Sequence, residues 1–409
     1  MIKIPEIKCK GLPDIFLNHT KYYVRDILQF YLNCCEIVAN KLSTHEVKIN
    51  LSTYTHSTRL FSLLEVIADP FYYPSKKIKK KLTKIPSLKK LDDVFQKKLL
   101  KKEFTAAINE YTTLFENMLD PDNEIYYENI LISKPDKLMI IYNELCSRFT
   151  SLQDSNGKVV LTQSGVGKGL VHDLISKIFN YGEFLDGFKQ PNSKIKWGAF
   201  DLCDHLDVNV CPYCNRMFTF TIIKKANRKA LTRPELDHFF PQSMFPLFAI
   251  SFYNLIPSCK ICNSSFKRDD YLKLEEYLHP YLGAAHSQYK FDYKPLDVGA
   301  YDGDMSKIHV IINKNGYTCK KTNASLEKFE IEEIYKRHSD VVSELLFKRL
   351  RYSDSRIQDI ARLFREAGEH VTESDIFNSI FPAPKSSEYI DQSLGKLRSD
   401  ITEKLRVLK

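Results

Sequence analysis

The sequence predicts an α+β protein in which a small metal-stapled core separates a helical N-terminal region from a C-terminal mixed region ending in helices. Three features lead there: helical periodicity over residues 1–193, short strand-like runs with paired cysteines over 194–275, and mixed strand and helix patterns over 276–409. A chain of 409 residues exceeds the roughly 250 at which single cores stop growing, so division into domains is expected.

In the first region Val24, Ile27, Leu28 and Tyr31 recur at three- and four-residue steps, as do Phe104, Ile108, Tyr111 and Leu114, and then Leu138, Ile141 and Leu145. That spacing lines one face of a helix. Turn signals at Asp69-Pro70, Asp120-Pro121 and Lys134-Pro135 separate the segments. A helix from Leu170 to Phe179 follows, and Gln190-Pro191-Asn192-Ser193 closes the region. In the third region Tyr289–Tyr293 and Ile308–Ile312 read as strands, the second followed by a hairpin-type turn at Asn315-Gly316. One helix is expected over Phe329–Leu350 and another over Ile357–Phe364, ended by Gly368.

The composition, 43% hydrophobic and 12% aromatic, excludes a disordered or fibrous chain. Met1–Leu12 lacks the apolar run of a secretory signal, and no stretch approaches the ~20 residues of a membrane span, so a cytoplasmic location is expected. In that reducing compartment cysteines serve as thiols or metal ligands. Cys9, Cys34, Cys35, Cys146, Cys203 and Cys319 show no grouping and read as ordinary thiols. The net charge is +9, and Lys76–Glu103 alone carries twelve lysines against Asp92, Asp93 and Glu103. Such a segment either tracks a polyanion or forms a solvated face.

The chemistry concentrates in the middle. Cys211-Pro212-Tyr213-Cys214 and Cys259-Lys260-Ile261-Cys262 are two CxxC knuckles separated by 44 residues. Two such turns complete a tetrahedral thiolate shell for Zn2+, and a fully thiolate-ligated zinc is structural because no position stays open for substrate. Beside the knuckles stand Glu235, Asp237-His238, Asn254, Asn263 and Lys267. Imidazole titrates near neutral pH, so His238 suits a general base that activates water. The oxygens of Asp237 and Asn263 suit a hard ion, Mg2+ or Mn2+, that offsets charge on a scissile phosphate. Asn254 suits an orienting role, and Lys267 a phosphate contact. Glu235 joins the metal shell only if its strand alternates regularly.

The run Leu236-Asp237-His238, continued by Tyr253-Asn254-Leu255 and Cys259-Lys260-Ile261-Cys262-Asn263 up to Lys267, resembles the HNH nucleases of the ββα-metal fold. The resemblance implies His238 as general base, Asp237 and Asn263 as holders of the catalytic ion, and Asn254 as a structural residue. The third motif position, often histidine, is Asn263 here. More loosely, Trp197-Gly198-Ala199-Phe200, His279-Pro280-Tyr281 and Ile334-Tyr335 with His338 are similar to the HNH proteins of Septu-type bacterial anti-phage systems. That similarity implies a separate ATPase partner. The expected function is a metal-dependent endonuclease acting on nucleic acid, DNA favoured over RNA. The competing reading is a zinc-dependent subunit that binds nucleic acid or protein without catalysis. His205 is a weaker zinc-ligand candidate, and His279 and His338 read as packing residues. Gly165-Val166-Gly167-Lys168-Gly169 is no phosphate loop, because Thr162 and Gly169 stand where that motif needs Gly and Ser or Thr.

Overall fold

The computed structural model describes residues 1–44, 102–149, 175–189, 196–224, 229–314 and 319–407. Asp69-Pro70, lysine-rich residues 76–101, Gly165–Gly169, Gln190–Ser193 and Asn315-Gly316 lie outside the described residues. Helices dominate, and the described strands form four two-stranded sheets, so the protein is a mixed helix and strand structure. No helix among the described residues is long and apolar enough to cross a membrane.

The chain divides into two compact units, Met1–Lys10 with Phe200–Phe239 and Ile256–Lys409, and Gly11–Ala199 with Phe240–Leu255. This differs from the expected boundaries at 193 and 275. Residues 194–275 do not close a core of their own: the segment Phe240–Leu255 packs with the helical unit and the knuckles with the C-terminal unit.

In the helical unit, helix Leu12–Thr44 packs along Lys102–Leu119. Val24, Ile27, Leu28 and Tyr31 on the first, and Tyr111 and Leu114 on the second, are buried as their periodicity requires. Helix Pro135–Arg148 opens with Pro135 in its first turn, where the missing N–H costs nothing. It buries Leu138, Ile141 and Leu145, and Tyr142 meets Phe245 and Phe248 edge-on. The Ser251 hydroxyl donates to the Ile130 carbonyl at 2.6 Å. Phe16 anchors the aromatic centre, edge-on to Phe184, Trp197 and Phe252 at 5.6–5.8 Å. Strands β1 (Phe188–Lys189) and β2 (Lys196–Trp197) pair antiparallel with Phe188 opposite Trp197.

In the other unit, β3 (Ile222–Lys224) pairs with β4 (Lys229–Thr232), β5 (Glu235–His238) with β6 (Leu255–Ser258), and β7 (Tyr289–Pro295) with β8 (Ile308–Lys314). Both strands foreseen after residue 276 are present, slightly longer than expected. Tyr289, Phe291 and Tyr293 alternate inward along β7, which packs on helix Gly395–Val407. The helix expected over Phe329–Leu350 is instead two, Ile331–Tyr335 and Ser339–Arg351. The break follows Tyr335, whose ring stacks on Phe291 at 4.1 Å while its hydroxyl donates to the Cys214 carbonyl at 2.8 Å. His338 N–H then closes a turn on the Tyr335 carbonyl. Helix Asp354–Glu366 ends at Gly368 as expected. With φ at 85°, Gly368 lets the Glu369 and Gly368 N–H groups return to the Phe364 and Arg365 carbonyls.

One position in the aromatic centre tolerates no side chain. A Cβ on Gly198 would lie 2.3 Å from the Phe184 carbonyl oxygen and 2.7 Å from Gly187 Cα, both backbone atoms that cannot rotate away. Gly198→Ala is therefore expected to cost at least about 1–3 kcal/mol by overpacking, read as an earlier midpoint in urea denaturation.

Candidate metal centre and candidate active site

The four knuckle cysteines converge. The Sγ atoms of Cys211, Cys214, Cys259 and Cys262 all lie within 4.8 Å of one another, and all four residues are buried. A tetrahedral zinc with sulfur at about 2.3 Å spaces its ligands about 3.8 Å apart, so the set is the right size for one ion. The donor chemistry agrees: burial pushes the Cys211 thiol up, so a set of buried thiolates there calls for a cation to offset its charge. The four cysteines can thus hold a zinc ion. His205 is no part of the cluster; its Nδ1 lies 2.7 Å from the Asp201 carbonyl oxygen.

The knuckles are locally built for this. Asn215 takes the left-handed conformation, φ 51°, that turns the chain after Cys214, and its N–H returns to the Cys211 carbonyl at 2.8 Å. In the second knuckle the Cys262 N–H points at Cys259 Sγ, 3.4 Å away. The chain then enters a seven-residue π-helix, Ile261–Lys267, a rare form often associated with functional sites. Its wider turn is closed by Arg268 N–H on the Asn263 carbonyl at 2.7 Å, and Arg268 at φ 57° stops it directly after Lys267.

Strand β5 and this helix bring the other candidates together. Along β5, Leu236 and Asp237 are buried while Glu235 and His238 are half-buried. From the helix, Asn263 Nδ2 donates to Glu235 Oε2 at 2.8 Å, and the exposed Ser264 hydroxyl donates to the same oxygen at 3.0 Å. Lys267 Nζ lies 3.0 Å from Asp237 Oδ1 and donates to the His238 carbonyl at 2.6 Å. The second carboxylate oxygen of Asp237 accepts from the Tyr213 hydroxyl at 2.5 Å.

Two expectations change. Lys267 does not present its charge to a phosphate: it is 1% exposed and spends its ammonium on Asp237 and on the His238 backbone. Asp237 is 2% exposed with a protein donor on each oxygen. In this structure the cation beside that carboxylate is Lys267. The donor chemistry of Asp237, Asn263 and neighbouring Glu235 suits a hard ion, but an ion bound at Asp237 has to compete with the Lys267 ammonium. Glu235 gains importance as the residue that meets Asn263. Tyr213 was not foreseen, and nothing in the spacing of a CxxC turn marks an intervening residue as a hydrogen-bond donor to a strand 24 positions away.

Asn254 belongs to the loop of the helical unit, fully buried. Its Oδ1 accepts from Phe240 N–H at 2.8 Å, and its Nδ2 donates to the Phe248 and Phe240 carbonyls at 2.9 and 3.2 Å. It fixes loop backbone beginning two residues after His238 in the chain. His279 packs at 4.1 Å on Phe239, its Nδ1 accepting from Tyr281 N–H, and burial pulls its pKa down to about 3. It is a neutral packing residue. His338 packs edge-on against Tyr335.

Comparison with known proteins finds no match: no family model, no curated protein and no solved structure matches the chain.

Two substitutions separate the roles. Cys259→Ser is expected to remove the bound zinc, about one ion per chain by elemental analysis, and to melt the knuckle region with it. Lys267→Met leaves Asp237 as an uncompensated buried charge, and the expected loss is about 3–5 kcal/mol of unfolding free energy. A Lys267→Met protein as stable as the parent, with weakened nucleic-acid binding alone, would return Lys267 to the role of phosphate contact.

Proposed function

We propose that the chain is a zinc-stapled, metal-dependent endonuclease of the HNH type that hydrolyses phosphodiester bonds of nucleic acid, DNA in preference to RNA. The observation that carries this reading is the convergence of Glu235, Asp237 and His238 on β5 with Asn263 and Lys267 on the helix that follows the second knuckle. A strand pair, a knuckle and a helix in this order support the ββα-metal reading that the sequence resemblance implies. His238 is half-buried at the end of β5 with its backbone held by Lys267, and in this reading its imidazole is the base that takes the proton of an attacking water. Asp237 and Asn263, with Glu235 beside them, would hold Mg2+ or Mn2+, which when bound offsets charge on the scissile phosphate. Asn254 supports the loop that follows His238. The looser Septu-type similarity extends the proposal to anti-phage defence with an ATPase as partner.

A second reading has its own observation. The buried Asp237–Lys267 ion pair is what a purely structural core would use to neutralise a carboxylate, which favours a zinc-dependent subunit that binds nucleic acid or protein without cutting it.

One variant tells them apart. On plasmid substrate with Mg2+ or Mn2+, His238→Ala is expected to lower cleavage by about 10²–10⁴-fold while zinc content and thermal stability stay at the parental level. Cleavage that survives the substitution defeats the assignment of His238, and a parent that binds substrate but never cleaves it under either metal favours the second reading.

A further inference from the structure

The segment leaving the first knuckle carries an arrangement that neither the zinc staple nor the proposed catalysis uses. From Phe218 onward exposure alternates: Phe218, Phe220, Ile222 and Lys224 face solvent, while Thr219 is buried and Thr221 and Ile223 are half-buried. Large apolar side chains so presented are unusual, with Phe218 62% exposed, Phe220 45% and Ile222 42%. The backbone beneath them is fixed. Phe218 bridges to Val210, Met217 accepts from Cys211 N–H at 2.9 Å, and the inward Thr219 hydroxyl donates to the Val208 carbonyl at 2.8 Å. β3 then pairs with β4, whose Leu231 is 48% exposed.

The charge of the sequence that carries this stripe points to what it fits. Between Asp207 and Glu235 the sequence contains no acidic residue and six basic ones, Arg216, Lys224, Lys225, Arg228, Lys229 and Arg233. An apolar protein partner needs no such bias, whereas a polyanion does. The Phe218 and Phe220 centroids are 5.7 Å apart with planes tilted by 46°, so the rings do not stack on each other and each keeps a face to offer. Bases in a duplex already occupy both faces with their neighbours. A single strand does not, and aromatic platforms interleaved with cations are how such strands are held without sequence preference.

We propose that the stripe Phe218, Phe220, Ile222 and Lys224 is a binding track for single-stranded nucleic acid, the two rings stacking on unpaired bases and Lys224 facing a phosphate. This deepens the nuclease reading and rests on it for the substrate class. It implies that the strand delivered toward β5, which begins two residues after Arg233, is unpaired where it crosses the hairpin.

The test is fluorescence anisotropy with labelled oligo-dT, oligo-U and a duplex of equal length, using full-length protein in a His238→Ala background without divalent ion. A single strand is expected to bind more tightly than the duplex. Phe218→Ser with Phe220→Ser should weaken binding of oligo-dT or oligo-U about tenfold or more. Lys224→Ala should flatten the salt dependence by about 0.7 in log–log slope. Both variants alter exposed side chains, so unchanged zinc content and melting temperature establish that the fold is intact. Indifference of both single strands to the double substitution overturns the proposal, as does tighter binding of the duplex. If the parent binds single strands through the stripe yet never cleaves, the nuclease reading fails and this one stands. If it cleaves with affinity indifferent to the stripe, the reverse holds.

Discussion

Four buried sulfur atoms, drawn together from two turns 44 residues apart, are the constraint on which the knuckle-bearing unit is organised. Its sheets are two-stranded and, apart from β7 and β8, only three or four residues long, too short to be stable alone. The first knuckle supplies what they lack, because its backbone is a junction. Pro212 accepts from Ile2 N–H, Cys214 from the Tyr335 hydroxyl, and Asn215 reaches the Tyr389 carbonyl and Lys396 N–H. A cation that fixes the cysteines therefore fixes the extreme N-terminal segment, the Tyr335 turn and the last helix together.

The same junction reaches the candidate active site through Tyr213. Tyr213 lies inside the CxxC turn, stacks on Phe329 at 4.3 Å, and hydrogen-bonds Asp237. Asp237 holds Lys267, and Lys267 holds the carbonyl of His238. Knuckle, phenol, carboxylate, ammonium and backbone thus form one chain of contacts. The phenol–carboxylate and carboxylate–ammonium links are buried, where a broken partner costs far more than a surface pair does, and the last link is partly buried. The position of His238 is consequently tied to the integrity of the metal centre.

Some of this was legible in the sequence for a clear physical reason. Zinc knuckles require their ligands close together along the chain, so CxxC spacing reports geometry directly, and the cysteines converge as their spacing demands. Helical faces such as Val24, Ile27, Leu28 and Tyr31 were legible because periodicity and burial are one fact seen twice. Lys267 was not legible: its role depends on a carboxylate 30 positions away, and a lysine near a phosphate-binding motif looks the same whether it points out or in. The break after Tyr335 was hidden likewise, since the Tyr335 hydroxyl meets a carbonyl more than a hundred residues upstream, at Cys214. The side on which the stripe lies has no sequence signal: alternation of Phe and Thr over Phe218–Thr221 fits a strand with either set inward, and here Thr219 is inside and the rings are outside.

The split of β5 between accessible and inaccessible residues bears on what chemistry the site can support. A substrate can reach only groups with some exposure, and on this strand those are Glu235 and His238, with Asn263 and Ser264 alongside Glu235. Asp237 and Lys267 are closed off, their charges cancelling each other behind that surface. For the proposed hydrolysis, the exposed edge is therefore formed by Glu235, His238 and Asn263, and a metal ion reaches Asp237 behind it only by displacing the Lys267 ammonium. A buried ion pair contributes little net stability compared with apolar residues of the same size, but it tolerates few alternative arrangements. That intolerance suits a strand that must hold an imidazole and a carboxylate at its two ends in fixed relation to a neighbouring helix.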